Sequence, residues 1–241
     1  MVTFALMSKE GSRDKNEDSI GMFQDGERYC FVLADGLGGH GKGEVASRIA
    51  VDNVIKIFSE GHNKNFFCNA FHEAQNSIIN KQQEERFCRD MKTTLVILKL
   101  EKDVISWGHI GDSRLYYFCK GKIKKRTLDH SVPQMLALAG EIKEKEIRHH
   151  PDRNRLLKVL GTESMGKYEE SEEIVRGGRQ AFLLCSDGFW ELIDEKKMES
   201  TLRSSSTPQE WLDAMERIVI RNGRGIQMDN YSAITVWIDE K

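Results

Sequence analysis

Short apolar runs separated by tight turns recur along this chain, and that pattern restricts it to antiparallel sheets. Ile20 to Phe23 and Tyr29 to Ala34 flank Asp25-Gly26, a hairpin signal. Leu95 to Leu100 and Val104 to Ile110 flank Glu101-Lys102-Asp103. Leu115 to Cys119 and Ile123 to Thr127 flank Lys120-Gly121. Gln180 to Cys185 follows Gly177-Gly178, and Ala233 to Ile238 closes the chain. Parallel pairs need long crossovers, which these spacings do not allow.

Helical spacing appears between the strands. Ala46, Ile49, Ala50, Asn53, Val54, Ile57 and Phe58 form one stripe, with Asn53 its polar member. Phe67, Phe71, Ala74 and Ile78 form a second. Thr207-Pro208-Gln209-Glu210 reads as a capping box with proline at the first helical position, and Trp211, Met215, Ile218 and Val219 follow on one face. Amphipathic helices beside strands must bury their stripes against the sheets, so the expected architecture is an α/β layered domain. Ser131 to Arg155 is polar and reads as a helical, partly mobile excursion over the sheet.

The 241 residues suit one domain, and no Gly/Ser linker or internal repeat divides them. The net charge of -2, spread over interspersed acids and bases, implies no broad basic face and no nucleic-acid partner. Five cysteines with no CxxC pair point to a reduced, cytoplasmic compartment. Met1 to Lys9 lacks a signal-peptide pattern, and no apolar run is long enough to span a bilayer.

Chemistry concentrates where strands end. Phe31-Val32-Leu33-Ala34 runs into Asp35-Gly36, and Phe182-Leu183-Leu184-Cys185-Ser186 runs into Asp187-Gly188. Gly111-Asp112-Ser113-Arg114, Asp229-Asn230 and Arg13-Asp14-Lys15-Asn16-Glu17-Asp18 add three more acid-bearing ends or turns. Any one Asp-Gly is ordinary turn chemistry. Five gathered at sheet ends would repel one another unless cations neutralise them, and oxygen-rich clusters favour Mg²⁺ or Mn²⁺ over zinc. Gly36 to Gly41 also fits a dinucleotide fingerprint and most of a P-loop. Gly43, however, stands where a P-loop needs Ser or Thr, and both motifs need a parallel sheet.

In order, Arg13-x-x-Asn16-Glu17-Asp18, Asp35-Gly36-x-Gly38-Gly39-His40, Thr93-Thr94, Gly111-Asp112-Ser113-Arg114, Asp129-His130-Ser131, Ser186-Asp187-Gly188 and Asp229-Asn230 resemble the 2C-type metal-dependent serine/threonine protein phosphatases, above all their compact bacterial members. The resemblance implies one catalytic domain over 1–241. It would be an α-β-β-α sandwich of two stacked antiparallel sheets flanked by helix pairs, with a flap at about 131–155. It implies two Mn²⁺ or Mg²⁺ ions and a weaker third. Asp35 matches the bridging carboxylate, Gly36 a carbonyl ligand, and Asp187 and Asp229 the ligands of the other ion. Glu17 and Asp18 match acids acting through bound water, Asp112 a ligand of the third ion with Asp187, and Arg13 the residue that holds the substrate phosphate.

The implied reaction is hydrolysis of phosphoserine and phosphothreonine in proteins by a hydroxide shared between ions about 3.5–4 Å apart, with Arg13 clamping the phosphoryl oxygens bidentately. The implied partners are phosphoproteins and a cognate serine/threonine kinase, for a cytoplasmic monomer with no membrane contact. Leu37 stands where animal members carry a histidine proposed as general acid, and Glu191 where some members place an aspartate near the third ion. His149-His150 reads as a solvated loop pair, and Lys122, Lys124, Lys125 and Arg126 as a solvated face. Trp107, Trp190, Trp211 and Trp237 read as core or site wall. The alternatives are a catalytically silent binding module of the same fold and a small-molecule phosphomonoesterase.

Overall fold

A computed structural model of the chain describes residues 1–38, 42–61 and 64–239. The elements run β1 (Val2–Lys9), β2 (Asp18–Asp25), β3 (Arg28–Leu37), α1 (Gly43–Ser59), α2 (Phe66–Glu84), β4 (Lys92–Thr93), β5 (Leu95–Glu101), β6 (Val104–Ile110), β7 (Arg114–Cys119) and β8 (Lys122–Arg126). They continue with α3 (Val132–Leu138), β9 (Glu169–Glu170), β10 (Ile174–Val175), β11 (Arg179–Cys185), α4 (Asp187–Trp190), α5 (Glu195–Ser204), α6 (Pro208–Asn222) and β12 (Tyr231–Asp239). One sheet has the order β1-β12-β11-β7-β8. The other has β10-β6-β5-β3-β2, with β4 beside β3 and β9 beside β6. Every ladder is antiparallel.

Period-two alternation in fully buried strands builds the layers. Phe31 and Leu33 point between the sheets and meet Phe182, Leu184, Ile234 and Val236. Their neighbours Cys30, Val32 and Ala34 face the other way, onto Ala46, Ala50, Val54, Phe67, Phe71 and Ile78 of α1 and α2. On the second sheet Leu183 and Cys185 pack under Met198, Leu202, Trp211 and Met215 of α5 and α6. This is the helix–sheet–sheet–helix sandwich expected. All four tryptophans are buried.

Local signals hold with small offsets. Asp25 pairs with Arg28, so the β2–β3 reversal is Gly26-Glu27, one residue later than the Asp25-Gly26 signal. Thr207 Oγ1 accepts from Glu210 N (3.1 Å), while Glu210 Oε2 accepts from Ser206 N (2.8 Å) and not from Thr207. The strand β1 has no counterpart in the sequence reading. It pairs with β12 along its whole length, Val2 with Ile238 through Lys9 with Tyr231. The alternation Val2, Phe4, Leu6 is the signal that marks it.

The 131–155 segment carries α3 and a 3₁₀ turn at Glu144–His149. It is helical as expected, but it also contributes to the core, because Ile147 is buried in the α5–α6 layer. Arg148 donates to the carbonyls of Trp190 and Ile193 (both 2.7 Å) and to both oxygens of Glu195 (2.8 Å).

Candidate metal centre

Antiparallel order decides where the acids go. The starts of β2, β7 and β12 and the ends of β3, β6 and β11 fall on one edge of the sandwich. Asp18 at the start of β2 lies directly opposite Asp35 in the ladder with β3. Asp112 fills the β6–β7 turn, Asp187 follows β11, and Asp229 precedes β12. Residues up to 211 positions apart (Asp18 to Asp229) therefore converge.

The electrostatics confirm the convergence. Burial first, then repulsion from Asp18, Asp187, Asp112 and Asp229, holds the Asp35 carboxyl well above the usual carboxylate range. Burial and the charge of Asp187 do the same to Asp112. Asp18 is pushed up to about 7, mainly by burial against the help of Ser232 and Ser186. Asp187 is pushed up to about 6 by burial and Asp229, opposed by a hydrogen bond with Asp35. Asp35 and Asp187 keep partial solvent exposure at the mouth of the cleft while protein surrounds them elsewhere. Glu17 is raised by burial, Glu44 and Asp229. Among the described residues, the cation directly bonded to the expected ligands is Arg13, whose Nη2 donates to Asp229 Oδ2 (2.7 Å).

The backbone around these acids is crowded. A Cβ at Gly36 would lie 2.3 Å from the Gly43 carbonyl oxygen and 2.6 Å from that of Glu17. Only glycine allows the end of β3 to pack against the start of α1 there. A Cβ at Gly188 would sit 2.2 Å from the Asn230 carbonyl oxygen, so the Asp187 and Asp229 segments touch through it. Asn230 ties the third piece in. Its Oδ1 accepts from Glu17 N (2.9 Å), and its Nδ2 donates to the carbonyls of Glu10 and Lys15 (both 2.8 Å).

The residues fit divalent cations. All the ligand candidates are oxygens, which suits hard ions. Asp18 Oδ2 accepts from Ser186 Oγ (2.8 Å), yet buried Asp18 Oδ1 has no hydrogen-bond partner among the described residues. Burying an unpaired carboxylate oxygen is costly, and a bound cation or its water removes that cost.

One other group has ligand spacing. His109, His130 and Glu169 bring ligand atoms within 4.8 Å of one another. The hydrogen bonds argue against a metal there. Gly111 N donates to His130 Nδ1 (3.1 Å), so neutral His130 carries its proton on Nε2, facing Glu169 Oε1 at 3.3 Å. His109 Nε2 donates to the Leu128 carbonyl (2.8 Å). Both rings are kept neutral by burial, His130 down to about 4. A groove of about 740 Å³ beside His72 and Gln75 of α2 is lined by none of these residues.

Of the expected site residues, Arg13, Glu17, Asp18, Asp35, Gly36, Asp112, Asp187 and Asp229 all belong to this one cleft. His40 lies outside the described residues. Glu191 is engaged by the 131–155 segment, where Arg153 Nε meets Glu191 Oε1 at 3.0 Å. Burial and Asp187 nevertheless push its carboxyl up to about 7.

The profile of the family described as protein phosphatase 2C matches residues 8–219. The chain belongs to the protein phosphatase 2C family. Among its relatives, serine/threonine phosphatase stp of Listeria welshimeri is 31% identical over 210 residues, 83% of this chain and 82% of that protein. PstP of Mycobacterium tuberculosis, a serine/threonine protein phosphatase, is 31% identical over 97% of this chain and 44% of its own length. The crystal structure of serine/threonine phosphatase Stp1 from Staphylococcus aureus superposes with a TM-score of 0.89 at 27% identity, covering 100% of this chain and 96% of that one. No helix among the described residues is long and apolar enough to cross a membrane.

Sequence reasoning missed the residues that hold the acids in place. Ser186 and Ser232 brace Asp18, Asn230 fixes the Glu10–Glu17 loop, and Trp190 Nε1 donates to the Asp112 carbonyl (3.0 Å). Ser186 and Asn230 adjoin the expected ligands, so motif position was a usable signal. Trp190 reads from the sequence as core or site wall, and Ser232 gives no signal.

Proposed function

We propose that this protein phosphatase hydrolyses phosphoserine and phosphothreonine in phosphoproteins, with Mn²⁺ or Mg²⁺ held in the carboxylate cleft. The observation that carries the reading is the convergence of Glu17, Asp18, Asp35, Asp112, Asp187 and Asp229 with Arg13 bonded to Asp229 and, among the described residues, one buried aspartate oxygen unpartnered. In this reading Asp35, the Gly36 carbonyl, Asp187 and Asp229 would hold the two ions. Glu17 and Asp18 act mainly through water, and Asp112 with Asp187 holds a weaker third. Bound cations would lower the pKa of a shared water and neutralise charge on the phosphoryl oxygens.

The chain's own groups do the rest. Arg13 is half exposed at the rim, so its guanidinium can turn from Asp229 to a phosphoryl group at little cost. Asp35 and Asp187 orient oxygens from rigid strand ends, which holds geometry better than loops do. No expected acid is missing, so a silent module is not favoured. The proposed setting is cytoplasmic, with a monomer opposing a cognate serine/threonine kinase in signalling.

The test is Mn²⁺-dependent turnover of p-nitrophenyl phosphate, then of a phosphothreonine peptide against nucleotides and sugar phosphates. Turnover that prefers the peptide is expected. No turnover with metal shown to be bound, or indifference to the peptide, would overturn the reading.

A further inference from the structure

Thr93-Thr94 is a motif for which the catalytic reading has no use. Both threonines are fully buried. Their bonds converge on one peptide, that of Asp35. Asp35 N donates to Thr94 Oγ1 (2.9 Å), and the Asp35 carbonyl accepts from Thr94 N (2.9 Å) and from Thr93 Oγ1 (2.9 Å). The β3–β5 ladder runs from Tyr29–Leu100 to Leu33–Val96, so the threonines extend the clamp past its last paired residues.

Thr94 alone also reaches the other side of the cleft. Its Oγ1 shares a hydrogen bond of 2.7 Å with Ser113 Oγ, next in the chain to Asp112. Its methyl packs under the same turn, because a Cβ at Gly111 (φ +102°) would lie 2.6 Å from Thr94 Cβ and Cγ2. One small side chain therefore touches both the Asp35 peptide and the Gly111–Ser113 turn. Asp35 and Asp112 are close enough to repel one another. A β-branched side chain is restricted at χ1, and the Thr94 hydroxyl is held by both Asp35 N and Ser113 Oγ, so the separation it sets is stiff.

We propose that Thr94 is a positioning residue that sets the spacing between Asp35 and Asp112, and so between the two-ion centre and the third ion. The inference rests on the reading of these two aspartates as ligands. Groups that support metal ligands typically carry 10–100-fold in metal affinity.

The experiment titrates Mn²⁺ by calorimetry into the metal-free full chain for wild type, Thr94→Val, Thr94→Ser and Asp35→Asn, with melting temperatures measured alongside. Thr94→Val keeps the shape and removes the hydroxyl. Its Mn²⁺ affinity is expected to fall about tenfold or more, and Thr94→Ser is expected to recover most of it. A Thr94→Val protein that melts lower but binds Mn²⁺ as wild type would show a merely structural role and overturn the proposal. So would a Thr94→Ser protein as impaired as Thr94→Val. If Asp35→Asn binds Mn²⁺ normally, the ligand reading itself fails, which is a separate result. If Thr94→Val does not fold, Ser113→Ala takes its place, since it breaks only the bond to the Asp112 turn. A weakened final, low-affinity Mn²⁺ step is then expected, and an unchanged isotherm would overturn the proposal.

Discussion

Two buried charge clusters lie either side of Asp112, and they differ in how completely they are satisfied. On one side, Arg114 Nε and Nη2 donate to the two oxygens of Asp129 (2.8 and 2.7 Å), Nη1 donates to Tyr116 Oη (3.0 Å), and the guanidinium stacks on Trp190 at 3.3 Å. Both partners are almost fully buried, and each Arg114 nitrogen and each Asp129 oxygen has a partner. On the other side, the cleft acids outnumber their cation and raise one another's pKa. A buried charge pair with every bond made is structure. A buried set of like charges with bonds unmade is a site waiting for a ligand of opposite sign.

The same chemical change at the two clusters gives the sharpest contrast. Asp35→Asn is expected to cut turnover by at least about 10²-fold while the metal-free protein melts no lower than wild type, because one repelling charge is gone. Near-normal turnover at saturating Mn²⁺ would break the contrast. Asp129→Asn is expected to do the opposite and destabilise the fold by about 3–5 kcal/mol, since it strands the Arg114 charge. Urea unfolding with an unchanged midpoint would refute that.

Proton and metal linkage separates the clusters next. A carboxyl whose pKa rises on folding binds its proton more tightly in the folded chain. That contribution is full below the unfolded value of about 3.9 and drains as pH climbs through the folded value, about 7 for Asp18. The metal-free protein is therefore expected to lose melting temperature between about pH 4 and 7. Mn²⁺ should reverse the loss, by about 2.7 kcal/mol at a hundredfold excess over Kd. A melting temperature that rises across that window without metal would contradict the charge-starved cleft.

The smallest effect is expected at the rim. Arg13 is half exposed, and its pair with Asp229 is worth no more than about 1 kcal/mol. Arg13→Ala should raise KM about tenfold through the lost phosphate contact, with Mn²⁺ affinity unchanged or tighter. An unchanged KM would remove Arg13 from substrate binding.

Much of this was legible before any fold was known. The hairpins between Ile20 and Thr127 and the helical stripes at Ala46–Phe58 and Phe67–Ile78 can be read by periodicity alone, because burial on one or two faces forces it. Strand β1 was harder. Eight residues at an edge carry a short alternation, and their partner is the last strand, at the far end of the chain. The metal-like spacing of His109, His130 and Glu169 shows the opposite difficulty. Proximity suggests a site, and only the direction of the Gly111 hydrogen bond removes it.

The chain alone marked which residues could serve as ligands, since each acid stands at one end of a strand or in the turn beside it. It also determined the antiparallel alternation that sends those ends to one edge. Tertiary structure alone decided which neighbours hold the acids. Ser186 bonding Asp18, Asn230 bonding the Glu10–Glu17 loop and Thr94 bridging Asp35 to Ser113 are contacts across 19 to 220 positions. No local propensity encodes such pairs. They exist because close packing of two sheets leaves buried polar atoms with few possible partners, and the fold must supply each one.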